Sequence, residues 1–406
     1  MKKLFAVLLA LALAIGCAAY AEEAKVSIEV LCDVVLDELD AVIYPAIEQF
    51  EAETGIEVVF SVPGSGYEEL LKARMAGNDM PDVWTTHGWA VARYSEYEYA
   101  LTEQPWASSV VNGIASIVTD DDGNLLVLPS AYTTFGVNYN ATVLKEAGVD
   151  PEQILTWTDF EEACEKVLAI GKTPIAMGAK DSWLGAQPFQ VMCPTFLTAE
   201  QTQQLADGTF NWDDIAPIIE RYEQWVEKGY FNVDAVTCDY NTACEYFGKD
   251  EAAFFFCDSS PISQAKVYVP DADLGIIPVP AWEADYSERL AISGEKLSWA
   301  VWKDSENLEA AIQFVNFLSG KELTEGFAVA TVCPAGLAGC EVDLGELTDD
   351  IANLGNYTCV PVWDRTLPSG MFNDMCTIGQ SILAKEGEPI EEYITIFRES
   401  YEDKMA

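Results

Sequence analysis

Aromatic, hydroxyl, amide and carboxylate side chains follow several of the predicted strands of this chain. Trp84, His87 and Trp89 follow a strand through Val83. Trp183 and Gln187 follow one through Ile175, and Asp258 and Ser259 follow an apolar strand ending at Phe256. Tyr132 lies just before a second block of the chain. Rings of this kind stack on flat faces, worth about 0.5–1.5 kcal/mol beyond the area they bury. A hydrogen bond to a charged group contributes about 1.5–3 kcal/mol. Together they suit reversible capture of a ligand with weakly apolar faces and a polar rim. Ligands of open α/β sheets bind outside the carboxyl ends of the strands, so the loops after strands are the positions to inspect. Core packing is the competing role for Trp84 and Tyr132, and a plain surface residue is the competing role for His87.

The elements that must position these residues are legible from periodicity. Val26 to Leu31 reads as a strand. Ile43, Ile47 and Phe50 then fall at i, i+4, i+7 of a helix that Gly55 ends. Ile56 to Val62, a helix carrying Leu70, Leu71 and Met75, and a third strand Asp82–Trp84 complete a βαβαβ pattern, the mark of a parallel sheet with flanking helices. Pro63-Gly64-Ser65-Gly66 lacks the lysine of a phosphate-binding loop and reads as a loop-to-helix turn. Asp121 to Asn124 reads as a tight turn without the liganding spacing of a calcium loop. Further on, Thr158 and Glu161 are spaced as a capping box before the stripe Phe160, Cys164, Val167. Thr173–Met177 and Ala252–Phe256 read as strands, and stripes at Ile215–Val226, Leu308–Leu318 and Ile390–Tyr401 read as helices. No low-complexity linker separates the blocks, which suggests two lobes joined by several crossing strands.

Met1 to Ala21 has the form of an export signal: Lys2 and Lys3, an apolar run too short to anchor, and Ala19-Tyr20-Ala21 as a cleavage pattern. Lipidation at Cys17 is the alternative processing. Removing 21 of 406 residues leaves 385, too many for one ordinary core and enough for two. The net charge is −45, and −47 once Lys2 and Lys3 are removed. Such a chain repels nucleic acid and anionic membrane surfaces, so neither is expected as a partner. A single histidine, His87, excludes a multi-histidine metal site, and no Cys-x-x-Cys pair suggests zinc or redox work. No metal and no cofactor are expected. The eleven cysteines leave two readings open, buried thiols or disulfides, with Cys238…Cys244 and Cys333…Cys340 spaced to close short loops.

Three segments resemble the bacterial extracellular solute-binding proteins of family 1, the group that includes maltose-binding protein. The first runs from Phe135 to Asp150, with Tyr139-Asn140 and Gly148, into Trp157-Thr158-Asp159-Phe160. The second is Gly171 to Gly178 followed by Asp181-Ser182-Trp183. The third is Leu297 to Ser305 running into Glu309 to Leu318, with Pro334-Ala335 after it. The order and spacing of these segments over nearly the whole chain make the resemblance. It implies an α/β, two-lobed periplasmic-binding-protein-like fold of type II, each lobe a mainly parallel sheet flanked by helices, with the ligand cleft between lobes. The first lobe would take residues 22–134 plus about 291–340, and the second 135–290 plus about 341–406.

The resemblance also implies a monomeric receptor, exported to the cell surface or periplasm. It would bind a mono- or oligosaccharide, perform no chemistry, and deliver its ligand to the transmembrane permease subunits of an ABC importer. By the same resemblance Thr133 stands where the family can carry a sugar-binding Glu. Glu295 and Trp299 flank the return crossing, and Trp363 lies where an aromatic is often offered. His87-Gly88 replaces an Asp-Arg pair and Asp258-Ser259 replaces a Gly/Trp region, so the contacts to the sugar differ here. Two rival functions stay open on the residues alone. One is a receptor for a cationic solute such as a polyamine. The other is an exported glycoside hydrolase, which needs two carboxylates about 5–9.5 Å apart.

Overall fold

A computed structural model describes residues 25–33, 37–86, 91–115, 117–120, 122–283, 289–345, 347–354, 357–368 and 370–405. The export signal, Cys17, His87, Trp89 and Asp121 lie outside the described residues, as does the side chain of Glu295.

The strands are β1 Ser27–Leu31, β2 Glu57–Ser61, β3 Val83–Thr86, β4 Val127–Asn140, β5 Thr173–Ile175, β6 Ala252–Cys257, β7 Leu274–Ile277, β8 Leu290–Val301 and β9 Thr358–Pro361. They join in the order β2-β1-β3-β8-β4-β6-β5, with β7 on β4 and β9 on β8. The expected βαβαβ start is present: β1 pairs in parallel with β2 and with β3. The sheet as a whole is mixed rather than mainly parallel. The two long central strands run against their neighbours, β8 antiparallel to β3 and β4, and β4 antiparallel to β6 and β7.

The buried apolar side chains form two clusters. One gathers residues from Ile28 to Ala131 with Leu297 to Leu337, centred on Phe50, Trp84, Trp299 and Phe314. The other gathers Val137 to Ile292 with Leu347 to Tyr401, centred on Trp157, Phe160, Trp225, Phe254 and Phe256. Phe160 lies 4.8 Å from Phe254, 5.4 Å from Phe256 and 5.6 Å from Trp225, ring centroid to ring centroid. That second core explains most of the aromatic content of the chain.

Local departures from the expected elements have simple causes. The helix Trp157–Ala169 starts two residues earlier than its capping pattern suggests. Thr156, not Thr158, is the N-cap, and Asp159 returns a bond to the Thr156 backbone at 2.8 Å. Strand β3 continues two residues past Trp84 to Thr86. The cysteines at 238, 244, 333 and 340 are free thiols, so the short-loop disulfides considered above are not formed. Burial pushes the Cys238 and Cys244 thiols up to about 12. They are therefore unreactive at neutral pH. No helix among the described residues is long and apolar enough to cross a membrane.

Candidate functional site: the junction of the two cores

The two cores are bridged by the antiparallel pair β4–β8. Its register runs from Val127 opposite Ala300 to Phe135 opposite Ile292, with irregularities on both sides of Ala131. The first core ends at Ala131 and Leu297 and the second begins at Val137 and Ile292. Between them lie Tyr132 to Gly136 and Ser293 to Lys296, where polar bonding replaces packing. Thr133 Oγ1 donates to the Gly294 carbonyl at 2.9 Å, and Ser293 Oγ donates to the Thr133 carbonyl at 2.7 Å. Gly294 is required by its neighbour: a Cβ there would lie 2.2 Å from Arg365 Nη2, so the bare backbone lets the guanidinium lie on the strand.

A third segment returns past the same point. Tyr132 N donates to the Pro334 carbonyl at 3.0 Å, and Ala131 bridges Ala335. Val332, just before this return, has φ +50°. A β-branched residue in the left-handed region costs on the order of 1–3 kcal/mol. Ser259 Oγ, from the loop after β6, donates to the Val332 carbonyl at 2.7 Å.

The loop after β6 is fixed around one carboxylate. Asp258, 4 % exposed, accepts from Ser260 N at 3.0 Å and from Ser260 Oγ, and its other oxygen accepts from Lys296 Nζ at 3.1 Å. Asn138 Nδ2 donates to the Asp258 carbonyl at 2.9 Å. Burial pushes the Asp258 carboxyl up, but the Lys296 ammonium and the Ser260 bonds outweigh it and hold it below the ordinary carboxylate range. Asp258 in turn raises the Lys296 ammonium above its ordinary value. The network continues outward: Tyr240 OH bonds Ser260 Oγ at 3.3 Å, and the Tyr240 ring packs on Trp183 with centroids 5.6 Å apart at 46°. Asp181 accepts from Tyr240 N at 2.7 Å, so both loops after second-core strands are tied together.

The sequence-predicted residues therefore fall into groups. Thr133, Asp258 and Ser259 meet at the junction with their polar atoms bonded as above, and Tyr132 stands beside them, half-buried, opposite Glu295. Trp183 joins through Tyr240. Gln187 is buried one turn on, its Nε2 donating to the Trp183 carbonyl at 3.3 Å and its Oε1 without a partner among the described residues. Trp84, Trp299 and Trp363 are core side chains. Trp84 packs edge-on to Tyr94, Trp299 donates from Nε1 to Ser130 Oγ at 3.1 Å, and Trp363 meets Phe397 at 5.8 Å.

Sequence reasoning missed Lys296, Arg365, Tyr240 and a first-core group. In that group Asp33, just past β1, accepts from Thr85 Oγ1 at 2.5 Å while its own N–H donates to that hydroxyl at 2.8 Å. Tyr67 OH bonds the Thr85 carbonyl. The usable signal for Asp33 was its place at the carboxyl end of a predicted parallel strand. Lys296 offered no signal, since its partner is 38 residues away. Chemically, the junction can present the Trp183–Tyr240 ring pair beside the polar groups of the crossing.

The sequence profile described as bacterial extracellular solute-binding protein matches residues 36–325. The chain is 29% identical over 398 residues to the melibiose/raffinose/stachyose-binding protein MelE of Bacillus subtilis strain 168, covering 95% of this chain and 92% of that one. Among solved structures it is similar to the msme binding protein of Bacillus subtilis in an open conformation. There the TM-score is 0.87 at 26% identity, covering 95% of this chain and 99% of the other. It is also similar to a Bacillus licheniformis sugar transporter in complex with stachyose. That TM-score is 0.82 at 29% identity, covering 93% of this chain and all of the other.

Proposed function

The chain belongs to the bacterial extracellular solute-binding proteins, and on that premise we propose that it is the sugar receptor of an ABC importer. It closes around an oligosaccharide of the melibiose, raffinose and stachyose kind and passes it, unaltered, to the membrane permease. The observation that carries this reading is the junction itself. Two apolar cores are joined by the β4–β8 crossing, and the loop after β6 is bonded to it through Lys296.

The lobes proposed are residues 22–134 with about 291–340, and 135–290 with about 341–406. Bonds made to a ligand from both lobes exist only when the lobes are together, so they supply the differential affinity that drives closure. The crossing can bend because hydroxyl–carbonyl bonds, not interlocked side chains, hold it. Trp183 is the ring platform from the second lobe, with Tyr132 and Glu295 at the crossing. His87 and Trp89 are the first lobe's contribution from the loop after β3. Asp258, Ser259, Thr133 and Gln187 shape the site from below, because their polar atoms are buried or already bonded within the protein. The ring-and-hydroxyl chemistry favours sugar over a polyamine, which would need open carboxylates; Asp258 is closed off by Lys296.

Export through the signal at residues 1–21 places the receptor outside the cytoplasm, with lipidation at Cys17 as the alternative anchor. Calorimetry of the exported chain with stachyose, raffinose, melibiose and spermidine tests the reading, followed by chromatography of the recovered sugar. Saturable heat with at least one of the sugars, none with spermidine, and intact sugar are expected. Binding only to spermidine, or appearance of cleaved sugar, would replace it with one of the two rivals.

A further inference from the structure

We propose that Lys296 is the charged hydrogen-bond donor of the ligand site and that Asp258 is the residue that positions it. The inference rests on the sugar-receptor reading and adds a residue which that reading leaves out.

Lys296 lies on β8 at the last position before the first core resumes at Leu297. Alternation along the strand puts it on the same face as Gly294, the residue against which Arg365 packs. An ammonium group has three N–H donors. The Lys296 side chain is 29% exposed, and among the described residues its one hydrogen bond is to Asp258 at 3.1 Å. Two donors are therefore left over, on a partly open side chain, at the crossing between the two bodies. Hydroxyl and ring oxygens of a sugar are acceptors of the kind they need.

Asp258 is placed differently. One of its oxygens takes both Ser260 bonds and the other takes Lys296, and the residue is nearly sealed from solvent. It has little capacity left for a ligand and acts through the lysine. Its position is over-determined by Asn138 beneath and by the Ser259–Val332 bond beside it. Ser260 also receives Tyr240, the ring on which Trp183 rests, so one continuous network holds both the stacking platform and the charged donor. A platform and a donor held at fixed separation are what discriminate one sugar ring from another.

The test uses calorimetry with stachyose, raffinose and melibiose on the full exported chain, with thermal melts alongside. Lys296→Met removes the donors but strands the Asp258 carboxylate, and it is expected to lower both melting temperature and affinity. The double variant D258N/K296M removes the stranded charge. It is expected to regain most of the melting temperature while its affinity stays roughly ten- to a hundredfold below wild type. A double variant that regains wild-type affinity, or a K296M chain that binds like wild type, would overturn the proposal and leave the sugar reading standing. Absence of binding by the wild-type chain to all three sugars would instead end the sugar reading, and this proposal with it.

Discussion

Ser293 and Thr133 sit diagonally across the two strands that join the cores, and each hydroxyl is bonded to the opposite strand. Ser293 reaches the Thr133 carbonyl at 2.7 Å, and Thr133 reaches the Gly294 carbonyl at 2.9 Å. Both residues are buried, yet neither belongs to either apolar cluster. The hinge proposed above lies at this crossing, between the two apolar clusters.

Thr133→Val and Ser293→Ala each delete one of these bonds and leave a buried carbonyl short of a partner. Each should cost about 1 kcal/mol in urea unfolding. The double variant should cost measurably less or more than the simple sum, because the two bonds share the Thr133–Gly294 stretch. Additive losses would show that the two hydroxyls act independently.

Phe160 is fully buried and touches Trp157, Trp225, Phe254 and Phe256. Phe160→Ala should destabilise the second core by about 3–5 kcal/mol. Because the first core shares none of these contacts, the expected melt separates into two transitions, with the earlier one carrying the loss. Calorimetric scanning reads this directly. A single unchanged transition would mean that the cluster is not the organising centre of that core.

How much of this was readable beforehand depended on what sets each element. The first three strands and their helices follow from apolar period and from glycines such as Gly55, whose φ of +74° ends a helix, and these are local signals. The crossing strand β8 was expected from the resemblance and not from periodicity: Ser293-Gly294-Glu295-Lys296 has the composition of a loop, and its partner β4 makes it a strand. The tryptophans show the same limit. Trp84 looked like the start of a loop, but β3 runs two residues further and turns it into the core. Trp299 and Trp363 differ from Trp183 in burial alone, which depends on residues far away in the chain. Asp258 could be nominated from its place after β6, whereas its pairing with Lys296 could not.

The Asp258–Lys296 pair sets a pH window for stability. The carboxyl is depressed in the folded chain, so its contribution is present above the unfolded carboxylate value of about 3.9 and fades as pH falls through the lower folded value. The ammonium is raised, so its contribution is present below about 10.4 and fades as pH rises through the higher folded value. Urea midpoints of wild type and of D258N, compared from pH 2 to 11, should therefore differ most between these limits and converge towards both ends. A constant difference across the range would mean that the charges are not responsible.

Trp183 is the ring that the second lobe is expected to offer. Trp183→Ala should weaken sugar binding by roughly three- to tenfold or more, from the lost stacking of about 0.5–1.5 kcal/mol plus the lost contact area. Its melting temperature should shift little, since the side chain is only partly buried. Calorimetry beside a thermal melt separates the two effects, and a large drop in stability with affinity intact would place Trp183 in the fold rather than in the site.

The most direct test of the hinged receptor is a distance measured between one spin label on each lobe, at exposed Val59 and Val267, while stachyose is titrated. The two-lobe account predicts a saturable change of distance whose midpoint matches the calorimetric affinity, with the sugar recovered whole. An unchanged distance at full occupancy would contradict it.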